Sequence, residues 1–182
     1  MIRRDLLKAA LGCGVVRLSA PLAAAQDDPA VARPQEGDLL VRLGDLSKSP
    51  LRPQDIEAGT EQTMAWAMDP ASGTVRKGHR FNQLLLVRFE PGKLTDETRA
   101  RAADGVVAYS VICTHSGCDV NNWMAEEQVV SCTCHESLFD PKDGGKVIDG
   151  PARRALPALP LKLVDGRLVV AQPFTSRVGF EG

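Results

Sequence analysis

Two short clusters of cysteine and histidine constrain this chain more than any other feature of its sequence. The first cluster, residues 113–118, reads Cys-Thr-His-Ser-Gly-Cys, and the second, residues 132–135, reads Cys-Thr-Cys-His. Each cluster contributes one cysteine–histidine pair and one additional cysteine. Thiolates and imidazoles are common ligands of transition metals, so the two clusters predict a metal centre. Because each cluster supplies half of the ligands, the fold must bring two loops together around that centre.

The pattern of the two clusters resembles the Rieske iron–sulfur proteins, in particular the branch with a disulfide between the two cluster loops. In that family, two thiolates hold one iron of a 2Fe-2S cluster and two imidazoles hold the other. The resemblance implies four ligands, one pair for each iron: Cys113 with Cys132, and His115 with His135. It also implies a disulfide between Cys118 and Cys134, which would tie the loops together.

Two alternatives assign the same residues differently. In an exported chain, four cysteines can form two structural disulfides with the histidines incidental, but this leaves the paired histidine spacing unexplained. Zinc modules usually place paired cysteines about two to four residues apart and paired histidines about three to five apart. The spacing from Cys113 to His115 is too short for that pattern, and a zinc site would leave two cysteines unused.

The N-terminal residues 1–25 predict an export signal. Residues 3–8 (RRDLLK) resemble the twin-arginine pattern, residues 9–16 are a short apolar run, and residues 23–25 are three alanines that offer a cleavage site. A bilayer span needs about 20 apolar residues, and Arg17 interrupts the run. The sequence therefore favours a cleaved signal and a periplasmic protein. Membrane association through an uncleaved N-terminal segment is the alternative.

The composition is that of an ordinary globular chain, with 43% hydrophobic and 25% charged residues among 182. This length suits one domain and a targeting segment. The net charge of −1 gives no reason to expect a nucleic-acid partner. Aromatic residues make up only 4%, so the core must consist mainly of Val, Leu and Ala, which favours short strands.

Short apolar segments between frequent turns predict an all-β fold, and the resemblance implies a Rieske-type antiparallel β-sandwich with a small cluster-binding subdomain. Residues 26–37 predict a linker and residues 38–182 the Rieske domain, with its cluster-binding part at about 106–152. A short helix is predicted over residues 95–103 with Thr95 as its N-cap. Strands are predicted over residues 38–43, 63–68, 82–89, 105–112, 128–131, 146–148, 159–164 and 167–171.

The residues that follow the second histidine should tune the reduction potential. In Rieske proteins, a serine two residues after that histidine and a tyrosine two residues further on donate hydrogen bonds to the sulfurs. Here these places hold Ser137 and Phe139. Such donors stabilise the reduced cluster and raise its potential, so the missing tyrosine hydroxyl implies a lower potential. Glu136 replaces the usual glycine, and Arg153 replaces the second proline of the loop that begins at Gly150-Pro151.

The resemblance implies one-electron transfer, since no nucleophile, acid–base pair or substrate pocket is evident in the sequence. Two larger oxidoreductases are candidate assemblies. The small subunit of a periplasmic molybdenum enzyme of the arsenite oxidase type is favoured by the weak N-terminal anchor and by Phe139. The alternative is the Rieske subunit of a membrane quinol–cytochrome c oxidoreductase. Ring-hydroxylating oxygenases and their ferredoxins fit less well, because they are cytoplasmic and lack the cysteine pair of the disulfide.

Either assembly would give the chain a catalytic or cytochrome-containing redox partner. We expect docking through the tip formed by His115, His135 and the loop at Gly150-Pro151, because electrons need a short path to the surface. Trp123 lies between the two clusters. It is expected to be a packing residue, with shielding of the site or contact with a partner as the alternatives.

Overall fold

The computed structural model describes residues 28–180, so the predicted signal over residues 1–25 lies outside the described part. Among the described residues, ten strands form two antiparallel sheets. The remaining regular structure is one short helix (α1, Asp96–Arg99) and three 3₁₀ turns, at Pro53–Asp55, Arg80–Asn82 and Pro91–Lys93. The all-β antiparallel prediction is confirmed. None of the helices between residues 28 and 180 has the length and apolar character that crossing a bilayer demands.

The larger sheet has six strands in the order β4-β3-β2-β1-β10-β9. Its strands are β1 (Leu39–Arg42), β2 (Thr63–Met68), β3 (Leu84–Arg88), β4 (Val106–Ser110), β9 (Leu161–Val164) and β10 (Arg167–Val170). Pairing of β1 with β10 joins the early and late parts of the described chain. The predicted turn at Asp165-Gly166 links β9 to β10, and both residues have positive φ, at 51° and 72°. This conformation matches the twist of a tight hairpin.

Strand β3 shows why the sequence in this region is apolar without alternation. Its residues Leu84, Leu85, Leu86 and Val87 are all fully buried. Leu85 and Val87 belong to the core that the large sheet shares with the small one, and Leu84 and Leu86 belong to a second core on the opposite face. A strand covered on both faces reads as a continuous hydrophobic run. Burial of each such side chain away from water contributes about 1.5–3 kcal/mol to the stability of the fold.

The smaller sheet is a four-stranded meander in the order β5-β6-β7-β8. Its strands are β5 (Val120–Met124), β6 (Val129–Cys132), β7 (Leu138–Asp140) and β8 (Lys146–Asp149). The predictions covered β6 and β8 but missed β5 and β7. Strand β5 contains two exposed asparagines and β7 has only three residues. Neither strand offers the repeated alternation of apolar and polar residues that predicts a strand from sequence.

Helix α1 is shorter than the predicted helix over residues 95–103. Thr95 is its N-cap, as predicted, and Thr95 Oγ1 accepts a hydrogen bond from Thr98 N at 3.4 Å. After the helix, Asp104 and Gly105 adopt positive φ, at 50° and 78°, in the turn that leads into β4.

The described part of the predicted linker, residues 28–37, is irregular but is fastened to the domain. Arg76 and Asp38 form a buried ion pair with Nε–Oδ2 and Nη2–Oδ1 distances of 2.5 Å and 2.9 Å. Arg76 Nη1 also donates to Pro29 O at 3.2 Å, and Gly78 N donates to Ala30 O at 2.8 Å. The segment before β1 is therefore held against the large sheet.

Candidate metal centre

The first ligand loop, residues 111–119, leaves β4 and returns as β5. Val120 N donates to Val111 O at 2.7 Å, and Cys113 N donates to Cys118 O at 2.8 Å. Gly117 N closes the inner turn onto Cys113 O at 3.0 Å, with φ of +81° at Gly117. Only glycine adopts this conformation without strain. The loop is therefore a tight hairpin that carries two cysteines at its base.

The second ligand loop, residues 132–137, turns between β6 and β7. Cys132 N donates to Ser137 O at 2.9 Å, and Glu136 N donates to Cys132 O at 3.1 Å. Glu136 has φ of +55°, which explains the family's preference for glycine at this place. Gly150 crosses so close to the loop that a Cβ there would lie 2.5 Å from Ser137 Cα. The second loop and the Gly150-Pro151 loop are thus in direct contact.

The two ligand loops are joined covalently and by hydrogen bonds. Cys118 and Cys134 form a disulfide with an S–S distance of 2.05 Å, as predicted. Thr133 N donates to Asp119 O at 3.3 Å. Ser116 Oγ lies 3.4 Å from His135 Nδ1. These links hold the loops face to face.

The four predicted ligands lie on the two joined loops as two pairs, one of cysteines and one of histidines. Cys113 and Cys132 are buried free cysteines, and the rings of His115 and His135 lie 4.7 Å apart in an edge-to-face arrangement. His115 Nδ1 is buried and has no hydrogen-bond partner among residues 28–180. A buried nitrogen without a partner is costly, and a metal ion would satisfy it.

The cysteine environment also fits a metal. Burial, together with the adjacent Cys132 thiol, raises the pKa of Cys113 to about 11. Two thiolates this close in a buried site need a positive charge beside them, which iron ions supply. Within residues 28–180, no group of three or more His, Cys, Asp or Glu side chains is placed to hold one metal ion. A Rieske cluster asks for only two protein ligands on each iron.

Ser137 and Phe139 are both fully buried beside these loops. Ser137 Oγ accepts a hydrogen bond from Ala152 N at 3.1 Å, so its hydroxyl proton is free for a second acceptor. Phe139 lies in β7 opposite Val130 and Val147 and belongs to the core that both sheets share. Phe139 therefore packs in the core and, as a phenylalanine, offers no hydroxyl group to the site.

A cleft of about 360 Å³ opens beside His115 and is lined by Thr114, His115, Pro151, Arg153 and Arg154. The predicted tip is therefore accessible on this side. Trp123 does not line the cleft; it packs on Phe89 with ring centroids 6.2 Å apart. The structure thus supports the packing interpretation of Trp123.

Arg154 and Thr114 were not singled out by the sequence analysis. Thr114 Oγ1 donates to Arg154 O, and the Arg154 guanidinium donates to the carbonyl oxygens of Arg177 and Gly179. No local pattern predicts these contacts, because the partners lie more than twenty positions apart in sequence. The one available signal was the pair of arginines after the Gly150-Pro151 loop.

Comparison with known families decides between the three interpretations of the cysteine and histidine pattern: a Rieske cluster, two structural disulfides or a zinc site. Residues 66–160, about half of the chain, match the sequence model of the Rieske 2Fe-2S domain. The chain belongs to the Rieske 2Fe-2S family. Its cofactor is therefore a 2Fe-2S cluster, and its activity is Rieske-type electron transfer.

Two relatives found by sequence agree with this assignment, and one solved structure is given for comparison of the fold only. The chain is 35% identical over 152 residues to the "Cytochrome bc1 complex Rieske iron-sulfur subunit" of Streptomyces lividans, covering 79% of this chain and 85% of that one. It is 40% identical over 106 residues to the "Putative respiratory nitrate reductase subunit Rieske" of Haloferax mediterranei, covering 57% and 47%. The soluble domain of Rieske protein II from Sulfolobus acidocaldarius is 18% identical with a TM-score of 0.46, covering 76% and 81%. The match thus spans most of the Streptomyces relative but less than half of the Haloferax relative.

Proposed function

We propose that this chain is the electron-transfer subunit of a membrane quinol–cytochrome c oxidoreductase of the bc1 type. The relative at 35% identity over 79% of the chain is named as a bc1 Rieske subunit. Sequence reasoning preferred the arsenite oxidase type, and the relatives support the alternative better. The observation that carries electron transfer itself is the meeting of two cysteines and two histidines on two loops joined by a disulfide.

In this proposal, Cys113 and Cys132 hold one iron and His115 and His135 hold the other. The two thiols are free and buried, and the two rings lie 4.7 Å apart. Nδ1 of His115, buried without a partner among the described residues, becomes an iron ligand. When bound, the cluster accepts and releases one electron at a time.

The surrounding residues of this chain hold the cluster and tune it. The Cys118–Cys134 disulfide keeps the loops from separating. Ser137 is fixed by the hydrogen bond from Ala152 N, and its hydroxyl proton is available to a cluster sulfur. His115 lines the open cleft, so a redox partner can reach the second iron from that side.

The second candidate is the small subunit of a molybdenum enzyme of the arsenite oxidase type. Phe139 favours it, since a buried phenylalanine stands where the quinol-oxidising branch commonly has a tyrosine. Both candidates include export, with the chain facing the periplasm and residues 1–25 acting as the signal or as a membrane attachment.

Fractionation of the native host and purification through a C-terminal tag distinguish the two assemblies. The bc1 proposal predicts retention in washed membranes, co-purification with haem-containing subunits, and an N-terminus at Met1 or Ile2. Release with the periplasm, an N-terminus at Gln26 and a molybdenum-containing partner without haem b would reject it in favour of the second candidate. Cytoplasmic recovery would reject both.

A further inference from the structure

Residues 174–180 contain no helix or strand, and Phe180 at their end contacts Gly117 of the first ligand loop. We call this segment the strap. Thr175 fixes its beginning, since Thr175 N donates to Ala158 O at 2.9 Å and Thr175 Oγ1 accepts from Ala158 N at 3.0 Å. Val178 in its middle is buried in the core that both sheets share. The strap is therefore attached to the domain at Thr175 and at Val178, although most of its other residues are exposed.

Arg154 holds the strap from the side of the cleft. Its Nη1 donates to Ser176 Oγ at 3.2 Å and to Arg177 O at 2.9 Å, and its Nη2 donates to Gly179 O at 2.6 Å. A planar guanidinium presents several donors in fixed directions, and hydrogen bonds from a charged donor are stronger than neutral ones. One side chain thus fixes three strap residues.

The same residue also contacts the first ligand loop. Thr114, which stands between two proposed ligands, donates its Oγ1 hydrogen bond to Arg154 O. The end of the strap contacts that loop directly, because a Cβ at Gly117 would lie 2.7 Å from Cδ1 of Phe180. Strap and loop are thus linked at two places, once through Arg154 and once through the Phe180 ring.

We propose that the strap is a cover for the first ligand loop and that Arg154 is a positioning residue for the electron-transfer reaction. By holding the strap closed, the Arg154 side chain keeps the Phe180 ring against Gly117 and limits the access of water to the loop. The backbone carbonyl of Arg154 accepts the hydrogen bond from Thr114, next to His115. The inference rests on the proposed ligand role of His115, while the closed strap itself is independent of the cluster.

Opening the strap should change the reduction potential of the cluster. The reduced cluster carries one more negative charge than the oxidised cluster, and water stabilises the charged form more than a dry site does. A strap that is open more often therefore raises the reduction potential. A residue with only a general structural role would lower stability everywhere and leave the potential unchanged.

Arg154→Lys tests whether the guanidinium holds the strap. Lysine keeps the positive charge, but its ammonium group cannot reproduce the several fixed hydrogen-bond directions of the guanidinium. Arg167→Lys is the control, because the Arg167 side chain is exposed on β10, lies outside the cleft, and is joined by no hydrogen bond or ion pair to other described residues. Phe180→Ala opens the other end with little risk to folding, because Phe180 is 43% exposed. The double variant Arg154→Lys/Phe180→Ala completes a mutant cycle.

Hydrogen–deuterium exchange of the full chain is the first measurement. We expect exchange in peptides covering residues 113–118 and 176–180 to be about tenfold faster in Arg154→Lys, as the loss of a charge-assisted hydrogen bond implies. It should also be faster in Phe180→Ala, because the ring no longer packs on Gly117. The double variant should add little to the faster single variant, and peptides from β3 should be unchanged. Exchange in Arg154→Lys equal to that in Arg167→Lys would overturn the proposal, as would a uniform increase over the whole domain.

Voltammetry of cluster-loaded protein is the second measurement. The Arg154→Lys and Phe180→Ala variants should shift to higher potential, and Arg167→Lys should not. Exchange needs no cluster, so a chain that binds no iron would defeat the proposed function and leave the strap to be decided by exchange. Full iron loading with unchanged exchange and potential in Arg154→Lys would defeat the strap and leave the proposed function intact.

Discussion

Among single residues, Ser137 should affect the reduction potential of the cluster most directly. Its hydroxyl group is buried, and its oxygen is held in place by the hydrogen bond that Ala152 N donates. Ser137→Ala should lower the potential, and Phe139→Tyr should raise it if the new hydroxyl reaches a sulfur. A one-electron shift of about 59 mV equals about 1.4 kcal/mol, so a single hydrogen bond accounts for tens of millivolts. Voltammetry measures both shifts.

Ser110→Ala is the matched control for this prediction. Ser110 is also fully buried, and its Oγ accepts a backbone hydrogen bond from Ile112 N at 3.1 Å. Its loss should lower stability without a comparable change in potential. Equal potentials in Ser137→Ala and in wild type would show that the Ser137 hydroxyl does not reach the cluster.

Glu136 adopts a backbone conformation that is unfavourable for any residue with a side chain. At φ of +55°, a non-glycine residue carries about 1–2 kcal/mol of strain, part of which glycine returns through the entropy of the unfolded chain. Glu136→Gly should therefore raise the free energy of unfolding by up to about 1 kcal/mol in urea titrations. Glu136→Gln removes the charge but keeps the strain and should not stabilise. A Gly variant no more stable than the Gln variant would contradict this account.

The site was predictable from the sequence where chemistry limits the choice of residue. Few side chains ligate iron, so the spacing of four residues nominated Cys113, His115, Cys132 and His135 together. Arg154 was not predictable, since an arginine can donate to backbone carbonyls anywhere in the fold. Sequence alone also left open whether Trp123 faces the site or packs on Phe89.

At the scale of elements, the loops depend on the disulfide because neither loop has regular structure of its own. Removing such a bond from a small domain typically costs about 2–5 kcal/mol. The double variant Cys118→Ser/Cys134→Ser, which leaves no odd thiol at the site, should lose stability in this range and release iron faster than wild type. Urea unfolding and the decay of visible absorbance measure the two effects. An unchanged midpoint with unchanged iron retention would mean that hydrogen bonds alone hold the loops.

Elements with a long apolar signal were predicted well, and short polar ones were not. Strand β2 was predicted at the bounds it has, Thr63–Met68, and the β9–β10 hairpin was found from its Asp165-Gly166 turn. Strand β5 escaped because its partner β6, and not its own sequence, makes it a strand. Propensity gives way to tertiary pairing in such segments.

At the scale of the whole molecule, the buried ion pair of Arg76 and Asp38 helps to hold residues 28–37, the segment before β1, against the large sheet. The two side chains are only 6% and 3% exposed. Arg76→Met leaves a buried carboxylate without its partner and should cost about 3–5 kcal/mol. Arg80→Met is the control, because its pair with Asp119 is 53% and 44% exposed and should contribute about 0–1 kcal/mol. Urea unfolding of both variants tests the difference; equal losses would contradict it.

The order of strands in the sheets and the identity of the partner lie beyond local sequence patterns. Pairing of β1 with β10 joins strands more than 120 positions apart, and no periodicity encodes it. The partner surface is likewise a property of the assembled tip, where residues from the first ligand loop and from the Gly150-Pro151 loop line one cleft.

Electron paramagnetic resonance of the dithionite-reduced protein, with iron and acid-labile sulfide determined on the same sample, tests the central claim most directly. The account predicts two irons and two sulfides per chain and a spectrum with the low average g value of mixed nitrogen and sulfur ligation. His135→Cys, with three thiolates, should lose that low average g value. A protein prepared anaerobically that contains zinc alone, or a spectrum typical of an all-cysteine cluster, would contradict the account.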